Sequence, residues 1–199
     1  GEIRPAYQKL KPLHYFLNAF GDRLAPLKPV VPDENSEPDN LQYSLRTDGK
    51  SGFLFVSNYY RGYQKSTKRG VQFQIQLDKE TLLVPANPVT VADSTTFIWP
   101  VNMPVGEAVL QQSTTQPITG VDNGKTTDWY FKASGEIGIQ YTFKSDGIQH
   151  IKYGRSSIDK NQDRFLVKSV ESGLAAPITL QTTDGAVHRI FTLSEKEAD

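Results

Sequence analysis

The chain has 199 residues, 22 basic and 22 acidic side chains, a formal charge of zero, one methionine and no cysteine. That length holds one domain or two small ones and buries about 70% of the unfolded surface, so a core forms without staples. The missing cysteines exclude disulfides, thiolate nucleophiles and thiolate metal sites, while zero net charge removes the long-range field that draws proteins to nucleic acid or anionic lipid.

The polar, proline-punctuated N-terminus does not read as a signal peptide. Its first residue, Gly1 rather than Met, is read as the start of a piece of something longer. Ala6, Leu10, Leu13, Leu17, Phe20 and Leu24 recur at spacings of four, three, four, three and four, which places them on one stripe of a helix within residues 1–27. Pro12 cannot donate to the Gln8 carbonyl, so the helix either kinks there or begins there as a first-turn proline; the second is our reading. Gly21 offers a stop, and Pro26 and Pro29 prevent continuation. Residues 28–40, with Pro29, Pro32, Glu34 and Pro38, read as a linker too polar and proline-rich to pack.

From Leu41 the period changes to two. Predicted strands are Leu41–Arg46, Gly52–Asn58, Val71–Leu77, Thr81–Val84, Val89–Val91, Thr95–Val101, Val105–Leu110, Asp128–Ala133, Gly138–Phe143, Ile148–Tyr153, Arg164–Val170, Ile178–Thr182 and Val187–Leu193. Val71, Phe73, Ile75 and Leu77 alternate with Gln72, Gln74 and Gln76, the clearest half-buried strand. Asp48-Gly49, Asn123-Gly124, Asp146-Gly147 and Asp184-Gly185 supply turns between strands. Short strands, tight turns and a single helical pattern predict a mostly β protein: antiparallel, sandwich-like units behind one N-terminal amphipathic helix. The polar stretches Gln111–Gln116 and Val121–Thr127 suggest a boundary, dividing the β region into units at 41–112 and 113–199.

Local signatures of chemistry are few. His14, His150 and His188 are too far apart to share a helical turn, so no local histidine pair exists for a metal, and each reads as a surface or packing imidazole. No Gly-x-Ser-x-Gly elbow is present, and Gly135-Glu136-Ile137-Gly138 lacks the third glycine and following helix of a dinucleotide cradle. Neither a cofactor nor a metal is expected. The acidic stretch Asp33–Asp39 lacks the ligand spacing and glycine of a calcium loop. Glu107, Glu136 and Asp128 read as outward-facing; a catalytic carboxylate pair about 5–5.5 Å apart cannot be seen in sequence spacing.

Aromatic and basic residues do interleave at Tyr59, Tyr60, Arg61, Tyr63, Lys65, Lys68 and Arg69. Such mixtures can stack bases and hold phosphates, but in a neutral chain a solvated hairpin tip is the plainer reading. Trp99, Trp129, Tyr59 and Tyr60 are the candidates for stacking on a sugar ring. The competing reading for each is ordinary core, because an aromatic side chain removes a large apolar area from water.

The run Leu10-Lys11, Leu13-His14, Phe16-Leu17, Phe20-Gly21 and Leu24-Ala25-Pro26 resembles the last catalytic-barrel helix of glycoside hydrolase family 35, the β-galactosidases. Leu45 to Gly62, with Gly52-Phe53-Leu54-Phe55-Val56 and Asn58-Tyr59 inside it, resembles the strand–turn–strand that opens the following β domain in large bacterial members. Thr81–Pro85 and Phe97–Pro100 fit the same region more loosely, and Pro12 departs from the family pattern. The resemblance covers roughly the first hundred residues. It implies that the acid/base and nucleophile glutamates lie on barrel strands upstream; a (β/α)₈ barrel needs at least about 200 residues, and no residue of this chain matches either glutamate.

The expectation is a non-catalytic β accessory region of such an enzyme, supporting the barrel and shaping the substrate cleft or subunit contacts, with Ala6, Leu10, Leu13, Leu17, Phe20 and Leu24 as its docking stripe. The expected partners are that barrel, a carbohydrate, or a second copy bound through the same helix; neither nucleic acid nor membrane is expected. The family resemblance alone implies a periplasmic or extracellular location. Two alternatives stay open: an independent carbohydrate-binding module using exposed aromatics, and a self-contained glycosidase.

Overall fold

Phe53-Leu54-Phe55-Val56 is apolar at every position, and a strand with that pattern needs cover on both faces. The computed structural model, which describes residues 5–32, 37–154, 158–161 and 163–198, provides it. The elements in chain order are α1 (Pro5–Leu24), β1 (Lys28–Val30), β2 (Gln42–Thr47), β3 (Gly52–Ser57), β4 (Lys68–Gln76), β5 (Thr81–Val91), β6 (Thr96–Val105) and β7 (Ala108–Ser113), followed by β8 (Thr115–Asp122), β9 (Thr126–Ala133), β10 (Gln140–Lys144), β11 (Ile148–Tyr153), β12 (Asp159–Lys160), β13 (Arg164–Lys168), β14 (Gly173–Thr182), β15 (Val187–Leu193) and α2 (Glu195–Ala198). Among the described residues none of the helices is long and apolar enough to cross a membrane.

An eight-stranded sheet in the order β1-β2-β3-β6-β7-β10-β13-β12 forms the middle layer. Phe53 of β3 belongs to a core shared with α1 and with a five-stranded sheet, β11-β14-β15-β9-β8. Leu54 and Val56 belong to a second core on the opposite face, closed by the β4–β5 hairpin through Phe73, Ile75, Leu82 and Val84. Asn102 sits between Val101 of the second core and Met103 of the first with φ +47, a conformation asparagine tolerates, and so turns β6 over between the two. Strand pairing is antiparallel except between β9 and β15, which run parallel. The eight-stranded sheet takes strands from both sides of residue 112 through the β7–β10 pairing. At Thr114 the chain passes from that sheet to the five-stranded one; its hydroxyl donates to Gly138 O at 2.8 Å and accepts from Gln140 N at 3.0 Å.

Several expectations need correction. The helix does not begin at Pro12 but runs through it from Pro5. Only one main-chain bond is forfeited there, and Pro12 is buried, so packing can sustain the turn. The buried stripe of α1 is Phe16, Phe20 and Leu24 with Leu13 beside it, whereas Leu10 and Leu17 are 46% and 43% exposed. The Ala6 side chain lies outside the described residues. Phe16 explains the rotated phase: it meets Phe53 edge-on at 5.1 Å and Phe20 at 5.4 Å, and the bulkier rings claim the core. Within the linker, Lys28–Val30 pairs with Leu45–Thr47 as edge strand β1, and residues 33–36 lie outside the described residues. The predicted strands Thr81–Val84 and Val89–Val91 are one strand, and the polar stretch after Thr114 forms strand β8, with Ile118 in its core.

Candidate functional site

The segment after β3 is held by polar groups rather than by apolar packing. Asn58 is fully buried, and its side-chain amide donates to the carbonyls of Ser66, Val91 and Ala92 at 3.0, 3.3 and 2.9 Å. Its backbone pairs with Thr95 O and Ser94 N at 2.8 and 2.9 Å. At the other end of the loop Lys65 is 3% exposed; its ammonium donates to Asn40 O at 2.6 Å and its amide to Asp93 Oδ1 at 3.1 Å. Burial first, and the neighbouring Lys68 charge second, push the Lys65 pKa below its ordinary value. Asp39 completes the clamp by accepting from the Ser66 amide, the Ser66 hydroxyl and the Lys68 ammonium at 2.8, 2.7 and 2.7 Å. The Lys68 hydrogen bond, then those from Ser66, hold the Asp39 carboxyl far below the usual carboxylate range.

Between these anchors the chain projects Tyr59, Tyr60, Arg61, Gly62, Tyr63 and Gln64, all exposed. Tyr60 and Tyr63 form an isolated bridge, closed by a Tyr63 N–H to Tyr60 carbonyl bond of 3.2 Å, with Gly62 at φ +77 making the turn. Their rings stand edge to face at 6.5 Å, and Tyr59, Tyr60 and Tyr63 are 51%, 46% and 49% exposed. Beside the loop's base, a groove of about 540 Å³ separates α1 from β2, β3 and β6, with Leu10, Leu13, Val31, Phe55 and Ser57 among its walls. Ser57 is the last residue of β3, directly before Asn58.

The other sequence candidates fall elsewhere. Trp99 is fully buried, stacked on Phe97 at 4.1 Å and edge-on to Phe73 at 6.5 Å, with its indole N–H donating to Ser134 Oγ at 3.0 Å. It is core, and no sugar can stack on it. Trp129 is half-buried: Gly120 sits against its ring, and its N–H donates to His188 Nδ1 at 3.3 Å. Asp128 is not outward-facing but buried, and it is spent on Arg189, which donates to its two oxygens at 2.7 and 2.5 Å. Glu107 and Glu136 are exposed.

Among the described residues no cluster of three His, Asp or Glu side chains could hold a metal. His14 and His150 are exposed, and His188 is a buried packing imidazole. Of the basic cluster, Lys65 is buried on Asn40 O and Lys68 is paired with Asp39, whereas Arg61 and Arg69 are exposed. Sequence reasoning singled out Tyr59 and Tyr60 but missed Asn58 and Lys65 as the anchors that hold them. No protein-family model and no curated protein matches the chain.

Proposed function

We propose that this chain is a non-catalytic β accessory region of a β-galactosidase-like glycoside hydrolase, with α1 as the seam to the catalytic barrel. One observation carries the reading: α1 is apolar on two sides. Phe16, Phe20 and Leu24 pack on the chain's own sheet. Tyr7, Leu10 and Leu17, at spacings of three and seven, share an adjacent stripe and are 54%, 46% and 43% exposed. A helix that served only its own sheet would present polar residues at those positions. The family-like residues Gly52–Val56 lie on an interior strand whose Phe53 meets Phe16 of the helix, which fits a support role.

The test uses this chain together with a barrel encoded upstream of Gly1 in the same reading frame. The chain alone should leave a chromogenic β-galactoside intact, whereas the separately expressed barrel should bind it. Leu10→Glu with Leu17→Glu should abolish that association without lowering the melting temperature of the chain. Hydrolysis by the chain alone, or an upstream frame encoding no barrel, overturns the reading.

A further inference from the structure

The geometry points to the Tyr59–Tyr63 loop as a binding site for a neutral saccharide, a site that stands on the loop itself and not on the accessory-region reading. The fold commits a fully buried asparagine, a buried lysine and Asp39 to fixing a segment that contributes nothing to either core. What those groups hold in place is a set of three half-exposed phenol rings. An aromatic tip tethered at both ends loses less entropy on binding than a free loop would, which is the condition under which a small contact area yields measurable affinity.

The chemistry of the tip selects the ligand. Ring faces suit the C–H face of a pyranose, and the phenol hydroxyls, Arg61 and Gln64 supply donors and acceptors at the rim for sugar hydroxyls. Of the cations around the loop, the two lysines at its base are already engaged, one on Asn40 O and one on Asp39, and the tip from Tyr59 to Gln64 carries a single charge, Arg61, which is too little to hold a polyanion. A protein partner would have to cover surface well beyond this loop. A stable protein interface uses about 20–30 residues a side, and the projecting segment runs only from Tyr59 to Gln64. That span matches one or two sugar rings.

The experiment titrates the whole chain with β-1,4-galactotetraose, cellotetraose and xylotetraose, followed by calorimetry and by tyrosine ring NMR signals. At least one of the three should give saturable binding, with the perturbed signals confined to Tyr59, Tyr60 and Tyr63. Tyr60→Ala and Tyr63→Ala should each weaken it by about tenfold or more. Tyr15→Ala, which removes a tyrosine 56% exposed on α1, should leave it unchanged. The loop variants lie outside both cores, and an unchanged melting temperature verifies their folding. Absence of saturable binding to all three sugars, equal affinity in the loop variants, or perturbation centred away from the loop overturns the proposal. So does a loop that proves to bind a protein and no sugar.

Discussion

The indole N–H of Trp129 donates to Nδ1 of His188 at 3.3 Å across the parallel β9–β15 pair, so the imidazole carries its proton on Nε2. That nitrogen is buried against Gly106 and has no hydrogen-bond partner among the described residues. Burial holds the His188 pKa below its ordinary value, opposed by the Asp184 carboxylate. Protonation would set two donors against each other at Nδ1. The unfolded chain takes up the proton near pH 6.5, and the folded chain only at lower pH. The unfolded state therefore binds more protons below about pH 6.5, and stability falls as pH drops from there until the folded imidazole also titrates. Urea midpoints should decline as pH falls below about 6.5, and His188→Gln, which can still accept from Trp129, should flatten that part of the profile. An unchanged slope in the variant would rule out the buried imidazole as the cause.

Gly106 and Gly70 form a matched pair for testing the same contact. Both have left-handed backbone, at φ +61 and +66. A Cβ at Gly70 meets open space, while one at Gly106 would collide with the His188 ring. Gly70→Ala should cost only the backbone strain, about 1–2 kcal/mol. Gly106→Ala adds displacement of a buried ring and should cost about 3 kcal/mol or more. Chemical denaturation of the two variants reads the difference directly, and equal costs would mean that His188 yields freely.

The register of α1 can be tested with adjacent residues. Phe16 is fully buried among Phe20, Phe53 and Phe55, so Phe16→Ala should cost about 3–5 kcal/mol. Leu17 is 43% exposed, and Leu17→Ala should stay within about 0.5 kcal/mol in the isolated chain. The reverse order would restore the leucine stripe that spacing alone suggests.

That contrast shows where the sequence is legible. Local rules sufficed where the cause was local: Asp48-Gly49, Asn123-Gly124, Asp146-Gly147 and Asp184-Gly185 all place a glycine at positive φ. The alternation from Val71 to Leu77 buries Phe73, Ile75 and Leu77 while Gln74 and Gln76 stay exposed. Apolar spacing found the helix but not its phase, because Leu17 and Phe16 lie on neighbouring stripes and only the rings of the sheet below decide between them. Strand β8 escaped notice because Thr115, Gln116 and Gly120 carry no apolar alternation; its pairing with β9 defines it. Lys65 reads as a solvated cation until Asn40, distant in sequence, is brought against its ammonium. The loop tip was visible as composition, whereas the anchoring of its two ends is a tertiary property.

Glu80 ties the β4–β5 hairpin to the middle sheet. Its Oε1 accepts from Lys144 Nζ at 2.6 Å and Asn102 Nδ2 at 2.9 Å, and its Oε2 accepts from Gln111 Nε2 at 3.3 Å. Burial alone would raise the Glu80 pKa, but the Lys144 and Asn102 hydrogen bonds outweigh it and the net shift is downward. A lowered folded pKa contributes stability above the unfolded carboxylate value near 4.3, and that contribution is lost as pH falls through the folded value. Glu80→Ala takes this acceptor from the Lys144 ammonium and the buried Gln111 amide, while the Asn102 amide keeps only Lys50 O. The two charged side chains retain 30% and 34% exposure, so water replaces part of the loss and the cost should be about 1–3 kcal/mol at neutral pH. Glu80→Gln keeps an acceptor for the amides and removes the charge, so it should cost less than alanine and abolish this acid-side contribution. Denaturation midpoints for the three proteins at pH 7 and pH 3 test both statements. A variant pair that loses stability on acidification in parallel with the parent chain would show that other carboxylates govern the acid limb.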